Sequence, residues 1–230
     1  MIDPARPPPR HRVRVCSHGD VQLRWSVVVP AKRLAVAKTR LRPLTAGTSH
    51  DDWVLAMLAD TVAAAVASPA VGAVVVVTDE PAAADVVRAL GATTVPDEPD
   101  RGLNPALEHG ARTAGTSAVA ALSSDLPALR PTELTAALAV AGAAPRCFVA
   151  DAAGTGTTLL TARGAALEPR FGRGSAAAHR DGGAVPLTGN WPGLTRDVDT
   201  AEDLRAALAL GVGPRTTALA GRLHGTGARA

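Results

Sequence analysis

The chain has 230 residues and a net charge of +3, and alanine, valine and leucine dominate its composition. This length suits one sizeable hydrophobic core, and a charged fraction of 20% is too ordinary for a disordered protein. Residues 1–24 hold five arginines and two aspartates, a balance of +3, so the rest of the chain is neutral. Because that remainder has no arginine stripe interleaved with aromatic residues, the sequence argues against nucleic-acid binding.

The proline- and arginine-rich opening lacks the apolar stretch of a secretory signal, and no run approaches the ~18 apolar residues of a membrane span. The two cysteines, Cys16 and Cys147, lack CxxC spacing and predict neither a zinc site nor a disulfide framework. We therefore expect a cytoplasmic protein that does not associate with membranes. Residues 1–24 are predicted to be a disordered tail, residues 25–212 one domain and residues 213–230 a flexible tail.

Apolar runs alternate with helical patterns along the chain. Strands are predicted, in order, from "WSVVVP", "GAVVVVTD", "TTVPD", "SAVAALSSDLPAL", "RCFVAD" and "TTLLTA". Helices are predicted from "HDDWVLAMLADTVAAAVAS", "PAAADVVRAL", "NPALEHGARTA", "PTELTAALAVAG", "SAAAHRD" and "AEDLRAALAL". The alternation predicts a layered α/β domain with a mostly parallel sheet, in which ligands bind beyond the carboxyl ends of the strands.

The loop after the first strand contains the only two lysines of the chain, Lys32 and Lys38. Residues 32–42 carry five cations and no acid, although the chain has no Walker A motif. A lysine is a compact, mobile point charge suited to phosphate, and a triphosphate would sit after the first strand of this architecture. Charge alone leaves two alternatives open: a solvated basic loop, or arginines whose aliphatic stems cover an apolar surface.

Aspartates follow two other predicted segments. Asp125 comes directly after an apolar strand, where a carboxylate suits Mg²⁺, although a helix N-cap or a turn would favour the same residue. Asp197 and Asp199 alternate and would face the same side of a strand, so either could complete a metal site with Asp125. We prefer to place Asp199 at the start of the last helix, which Thr200 can cap.

Two glycine-rich segments, "DAAGTGTTLL" and "PRFGRGSAAAH", supply hydroxyls and backbone amides that together predict a second pocket for a phosphate or carboxylate. Gly102 and Asn104 stand where the chain enters a helix. Asn104 is expected to cap that helix, or alternatively to lie beside a base or ribose. His109 and His179 are expected at the surface, since no histidine has metal-ligand spacing.

The motifs "VPAKRLAVAKTRL", "GLNPAL", "SSDLPAL", "DAAGTGTTLL", "FGRGS" and "DVDTAEDL" occur in this order between residues 25 and 210. Together they closely resemble the guanylyltransferases of deazaflavin coenzyme (F-420) biosynthesis. That family includes enzymes that use phosphoenolpyruvate and enzymes that use 2-phospho-L-lactate. The resemblance implies a single-domain, Rossmann-like three-layer sandwich similar to that of the molybdenum-cofactor nucleotidyltransferases.

The resemblance also implies roles for particular residues. It places Mg²⁺ on Asp125 and Asp197, and GTP phosphates on Lys32 and Lys38, so that the catalytic set is Lys32, Lys38 and Asp125. It further implies that Thr157, Gly172 and Ser175 receive phosphoenolpyruvate, and that Gly102 and Asn104 lie near the nucleoside.

The implied reaction transfers GMP from GTP to phosphoenolpyruvate and releases pyrophosphate. The alanine- and arginine-rich composition fits a high-GC bacterium and favours phosphoenolpyruvate over 2-phospho-L-lactate. The alternatives are a nucleotidyltransferase of the same fold with another phosphorylated acceptor, or a non-catalytic nucleotide-binding regulator whose aspartates are caps.

Overall fold

The computed structural model describes residues 24–31, 49–98 and 100–225. The strands are β1 (Trp25–Pro30), β2 (Val71–Val77), β3 (Thr93–Val95), β4 (Ala118–Leu122), β5 (Arg146–Ala150), β6 (Thr157–Arg163) and β7 (Val185–Pro186). The helices are α1 (His50–Val66), α2 (Pro81–Arg88), α3 (Leu103–Ala114), α4 (Pro131–Ala141), α5 (Ser175–Asp181), α6 (Pro192–Thr195), α7 (Ala201–Leu210) and α8 (Pro214–Gly225). Every strand and helix predicted from the alternation is present, and β7, α6 and α8 are additional.

Within the described residues the strands form one seven-stranded sheet in the order β3-β2-β1-β4-β6-β5-β7. β1 runs parallel to β2 and β4, β2 to β3, and β5 to β7, whereas β6 is antiparallel to both of its neighbours. The valine- and alanine-rich central strands are buried, as expected for strands covered on both faces. The predicted α/β domain with a mostly parallel sheet is confirmed.

Helices cover both faces of this sheet. Apolar residues of α1, α2 and α4 pack on one face, with Leu58, Val87 and Leu138 among the most buried. Residues of α3 and α5, including Leu107 and Ala176, pack on the other face. The fold is therefore a three-layer sandwich, with α7 and α8 packed against the outer side of α1.

The predicted flexible tail from residue 213 is wrong for residues 214–225, which form α8. The Asp60 carboxylate on α1 accepts hydrogen bonds from the backbone N–H groups of Arg215 (3.2 Å) and Thr216 (2.8 Å), the first turn of α8. Leu219 and Ala220 are buried in the same apolar cluster as α1. A capping carboxylate and an apolar face from a distant part of the chain thus hold this helix in place.

The predicted N-terminal tail, up to residue 23, lies outside the described residues. In the part of the chain that is described, no helix combines the length and the apolar character needed to cross a membrane.

Candidate active site

The carboxyl ends of β1, β2 and β4 and the beginning of β6 meet at one edge of the sheet. Ser123, the first residue after β4, donates its backbone N–H to the carbonyl of Thr158 (2.9 Å), and its hydroxyl lies 3.5 Å from the carbonyl of Thr157. Ala31, at the end of β1, donates its N–H to Val77 of β2 (2.9 Å). In such folds this edge is where ligands bind.

Asp125 and the segment containing Asp197 meet at this edge. The carbonyl of Asp125 accepts a hydrogen bond from the N–H of Val198 (3.1 Å), so the residue before Val198 is brought next to the end of β4. Asp125 is buried and Asp197 is half-buried. The structure therefore places the two aspartates that the sequence paired in neighbouring segments.

Two of the alternatives for these aspartates are wrong. Asp125 is not a helix N-cap, because the helix that follows, α4, is capped at Arg130. Residues 196–199 lie in no strand, so Asp197 and Asp199 do not share a strand face. Asp199 is exposed beside Thr200, which caps α7 by accepting the N–H of Asp203 (3.2 Å), as predicted.

The loop that carries Asp125 is anchored to α1. The N–H of Leu126 donates to the Thr61 hydroxyl (3.0 Å), which in turn donates to the carbonyl of Met57 (2.8 Å). Thr61 is fully buried. Because both the N–H of residue 126 and the carbonyl of residue 125 are bonded to other elements, the backbone at Asp125 has a fixed orientation.

Glu133 connects this loop to the segment of Asp197. One carboxylate oxygen accepts the N–H of Gly193 in α6 (3.1 Å), and the other accepts the N–H of Arg130 (3.2 Å). A Cβ at Gly193 would overlap the carbonyl of Ala128, so α6 can approach the loop this closely only with glycine there. The short helix that leads to Asp197 is thereby held against the loop of Asp125.

The two glycine-rich segments also meet. In the turn between β5 and β6 the Asp151 carboxylate accepts the N–H groups of Thr155 (2.9 Å) and Gly156 (2.8 Å). The carbonyl of Thr155 accepts the N–H of Ala176 (3.1 Å), in the first turn of α5. The two segments are thus joined through their backbone, and Ser175 lies beside this link; that they form a pocket for a phosphate or carboxylate stays a prediction.

Gly172 and Ser175 belong to a compact turn that opens α5. The N–H of Ser175 donates to the carbonyl of Gly172 (3.1 Å), and Ser175 is buried. Gly172 has a φ of 134°, a backbone conformation that residues with a side chain rarely adopt. Apart from its two chain neighbours, no described atom lies within 4 Å of where its Cβ would be.

Asn104 does not cap α3. Gly102 is the N-cap residue, with a φ of 103° that favours glycine. The Asn104 side chain instead holds the backbone of Phe171: its Oδ1 accepts the N–H (2.8 Å) and its Nδ2 donates to the carbonyl (3.1 Å). Asn104 therefore joins the start of α3 to the segment that leads to Gly172.

His179, expected at the surface, is in fact 2% exposed. Its Nδ1 lies 2.9 Å from the Thr157 hydroxyl, and its Nε2 accepts the backbone N–H of Arg170 (2.9 Å). Phe148 and Phe171 contact the imidazole ring. Burial, and secondarily the charge of Arg170, lowers the pKa of His179 from 6.5 to about 4.

This lowered pKa predicts a pH dependence of stability. Between pH 6.5 and about 4 the unfolded chain binds a proton on His179 and the folded chain does not. The free energy of unfolding should therefore fall as pH decreases through this interval, by roughly 3 kcal/mol in total, and this contribution should be constant above it. Urea unfolding of the wild type and of His179→Asn at several pH values would measure it, and equal pH slopes in both proteins would contradict the prediction.

Lys32 and Lys38, predicted to bind the nucleotide phosphates, lie outside the described residues. Among the described residues, no group of three or more histidine, cysteine, aspartate or glutamate side chains has the arrangement of a metal site.

Comparison with known proteins identifies the family. The family model described as "Guanylyl transferase CofC like" matches residues 25–219. The phosphoenolpyruvate guanylyltransferase of Geodermatophilus obscurus is 73% identical over 202 residues, which cover 86% of this chain and 94% of that protein. The protein of the same name from Salinispora arenicola is 53% identical over 208 residues, covering 89% of this chain and 97% of that protein.

Solved structures share the fold at low sequence identity. A nucleotidyl transferase from Methanothermobacter superposes with a TM-score of 0.57 at 22% identity, over 81% of this chain and 97% of that one. A cytidylyltransferase from Leptospira borgpetersenii superposes with a TM-score of 0.55 at 13% identity, over 89% of this chain and 95% of that one. The fold, the ordered motifs and the family match agree: the chain belongs to the CofC-like guanylyl transferase family and is a nucleotidyltransferase.

Proposed function

We propose that this chain transfers GMP from GTP to phosphoenolpyruvate, giving enolpyruvoyl-2-diphospho-5'-guanosine and pyrophosphate in the cytoplasm, as a step of coenzyme F-420 biosynthesis. The relatives at 73% and 53% identity carry the name of this activity. The structural observation that supports it is the meeting of Asp125, the segment of Asp197 and the start of β6 at one edge of the sheet. Carboxylates that would hold a cation on one side, and a hydroxyl- and amide-rich turn on the other, suit two anionic substrates.

The reaction needs charge neutralisation more than proton transfer. The phosphate oxygen of phosphoenolpyruvate attacks the α-phosphorus of GTP, the bond from the α-phosphorus to the bridging oxygen breaks, and pyrophosphate leaves with that electron pair. Because the attacking phosphate is already ionised at neutral pH, the step requires no general base. The described edge of the sheet accordingly needs to orient two polyanions and offset their repulsion.

The two aspartates are assigned to the metal ion in this proposal. Asp125 and Asp197 would hold Mg²⁺, a cation that typically takes one or two protein carboxylates together with water and substrate phosphates. Two carboxylates on anchored backbone fit that donor set. A bound Mg²⁺ supplies electrostatic stabilisation of the phosphate oxygens.

The nucleotide and the acceptor are assigned to different residues of the edge. Lys32 and Lys38, which follow β1 in sequence, bind the triphosphate, and the start of α3 at Gly102 and Asn104 lies near the nucleoside. Since the Asn104 side chain is already bonded twice to Phe171, we assign it the task of holding that segment while at most one of its N–H groups faces the nucleotide. Thr157, Gly172 and Ser175 bind the phosphoenolpyruvate.

Pyrophosphate release tests the proposal. The protein is incubated with Mg²⁺, with GTP, ATP or CTP, and with phosphoenolpyruvate, 2-phospho-L-lactate or both acceptors in competition, and the products are identified by mass. We expect GTP with phosphoenolpyruvate to be preferred and a chelator to abolish release. Preference for phospholactate or another phosphorylated acceptor would overturn the assignment of the acceptor, and no release with any pair would overturn the proposed activity.

Thr157→Val is expected to raise the KM for phosphoenolpyruvate about tenfold or more and to leave the KM for GTP unchanged. The substitution removes one hydrogen bond to a charged ligand, which is worth about 1.5–3 kcal/mol, or one to two factors of ten. Steady-state kinetics with each substrate varied in turn would show the difference.

The adjacent residue offers a matched control. The Thr158 hydroxyl is fully buried and has no hydrogen-bond partner among the described residues. Thr158→Val should therefore leave both KM values unchanged and leave the free energy of unfolding equal or higher. Equal kinetic effects of the two valine substitutions would show that Thr157 acts only through packing.

A further inference from the structure

His179 is not among the residues assigned to either substrate, yet it is bonded on both ring nitrogens at the acceptor side of the edge. Its Nε2 accepts the backbone N–H of Arg170 at 2.9 Å, and its Nδ1 lies 2.9 Å from the Thr157 hydroxyl oxygen. The ring is 2% exposed. Phe148 and Phe171 lie around it, with ring centroids 6.0 Å and 5.1 Å from that of the imidazole.

The backbone bond decides which nitrogen carries the proton. A backbone N–H can only donate, so the Nε2 of His179 must be unprotonated to accept from Arg170. A neutral imidazole has one N–H, which therefore sits on Nδ1 and points at the Thr157 oxygen. A charged ring would lose the bond from Arg170, and burial of the ring disfavours that form.

The proton on Nδ1 of His179 determines the role of the Thr157 hydroxyl. Its hydroxyl oxygen accepts from His179, so the hydroxyl hydrogen must point away from the ring and is left to donate to another group. A phosphate or carboxylate is acceptor-only when ionised, and so needs donors. The direction of the chain of hydrogen bonds therefore runs from the Arg170 backbone through the imidazole to the Thr157 hydroxyl.

We propose that His179 is a positioning residue for the acceptor substrate, which fixes the Thr157 hydroxyl as a hydrogen-bond donor toward an oxyanion of the phosphoenolpyruvate. The inference rests on the proposed function, because that function places the acceptor at Thr157. His179 touches neither substrate and transfers no proton; it sets the orientation of the hydroxyl that does the binding.

The same ring also holds the segment that carries Gly172. Arg170 is bonded to His179, and the next residue, Phe171, is bonded on both backbone groups to Asn104. Two side chains from separate helices thus fix consecutive residues directly before Gly172. A loss of His179 should accordingly weaken acceptor binding.

Kinetics of His179→Gln tests the proposal, because a glutamine oxygen at the ε position can still accept from Arg170, whereas the glutamine side chain has no N–H at the δ position that faces Thr157. We expect the KM for phosphoenolpyruvate to rise about tenfold, and kcat and the KM for GTP to change less than about twofold. In the Thr157→Val background the same substitution should have little further effect, since His179 acts through that hydroxyl. His109→Gln is the matched control, because His109 lies on α3 and is only half-buried. It should leave kcat and both KM values unchanged.

Nitrogen-15 NMR of the histidine rings in the wild-type protein shows which ring nitrogen of His179 is protonated. This measurement does not depend on whether the variants fold. The proposal requires a protonated Nδ1 and an unprotonated Nε2 at pH 7. An Nε2–H tautomer, an unchanged KM for phosphoenolpyruvate in a folded His179→Gln protein, or fully additive effects of the two substitutions would overturn the positioning role while wild-type turnover stands. If the wild type releases no pyrophosphate with phosphoenolpyruvate, the proposed function fails, and the assignment of the acceptor to Thr157 fails with it whatever the tautomer.

Discussion

Asp125→Asn should lower the rate of pyrophosphate release at least about 100-fold and leave the fold intact. Asparagine has nearly the same shape but no charge, so the proposed Mg²⁺ site would lose a negative ligand. Metal stabilisation of transition-state charge is worth several kcal/mol, and each ~1.4 kcal/mol corresponds to a factor of ten in rate. The anchoring of this loop uses the backbone of residues 125 and 126, which the substitution leaves in place.

The measurement is pyrophosphate release over a range of Mg²⁺ concentrations, together with urea unfolding of the same protein. Asp199→Asn is the matched control, because Asp199 is an exposed acid in the neighbouring segment and should keep nearly full activity. A folded and fully active Asp125→Asn protein would refute the metal assignment. An inactive protein with a large loss of stability would instead show that the Asp125 carboxylate is structural.

Gly193→Ala should reduce the free energy of unfolding by about 3 kcal/mol. The new Cβ would overlap the carbonyl of Ala128 and lie 2.6 Å from a carboxylate oxygen of Glu133. Neither can withdraw cheaply, because one is backbone and the other accepts the N–H of Arg130, while its carboxylate partner oxygen accepts the N–H of Gly193. Overpacking costs typically 1–3 kcal/mol, and the buried hydrogen bond to Glu133 would be strained as well.

Activity should fall along with stability in this variant, since α6 leads directly to Asp197 and the displaced loop carries Asp125. Urea unfolding and pyrophosphate release measure the two effects. Gly221→Ala on α8 is the comparison, because no described atom lies within 4 Å of its Cβ position and alanine favours a helix by up to about 1 kcal/mol. Equal stability of the two variants would show that the contact at Gly193 can relax.

Much of the architecture follows from local patterns. The valine run of β1 and the proline start of α2 each signal their element within a few residues, and the alternation fixes the fold class. Asp125 could be placed at this edge because it follows β4 and parallel strands end at one edge, whereas Asp197 lies in no strand and could not be placed by that rule. The exact contact, a backbone bond between Asp125 and Val198, depends on the path of α6 and could not be read from the motifs.

Residues whose partners are distant in sequence were predicted poorly. Asn104 looked like a cap because it stands in the first turn of α3, but its partner is Phe171. The C-terminal segment looked like a tail because the carboxylate that caps α8, Asp60, lies on α1. Local sequence does not contain these partners, so tertiary contacts override the local preference.

A usable signal existed for His179. In "SAAAHRD" it stands three residues after Ala176, so the two lie on the same face of a helix. A histidine on the apolar face of a short helix is expected to be buried and to have hydrogen-bond partners. A prediction based on the helix face that His179 shares with Ala176, and not on its residue type, would have placed His179 in the interior.

The reversed direction of β6 has a consequence for how enzymes of this shape can diverge. Because β6 runs against its neighbours, its first residue reaches the edge where the other strands finish. One continuous stretch of chain, from the start of β6 to the start of α5, contains the residues assigned to phosphoenolpyruvate: Thr157, Gly172 and Ser175. The residues assigned to the nucleotide and cation come from elsewhere. A lineage could therefore acquire a new acceptor by remodelling this one stretch of chain, provided that Phe171 keeps its backbone bonds to Asn104.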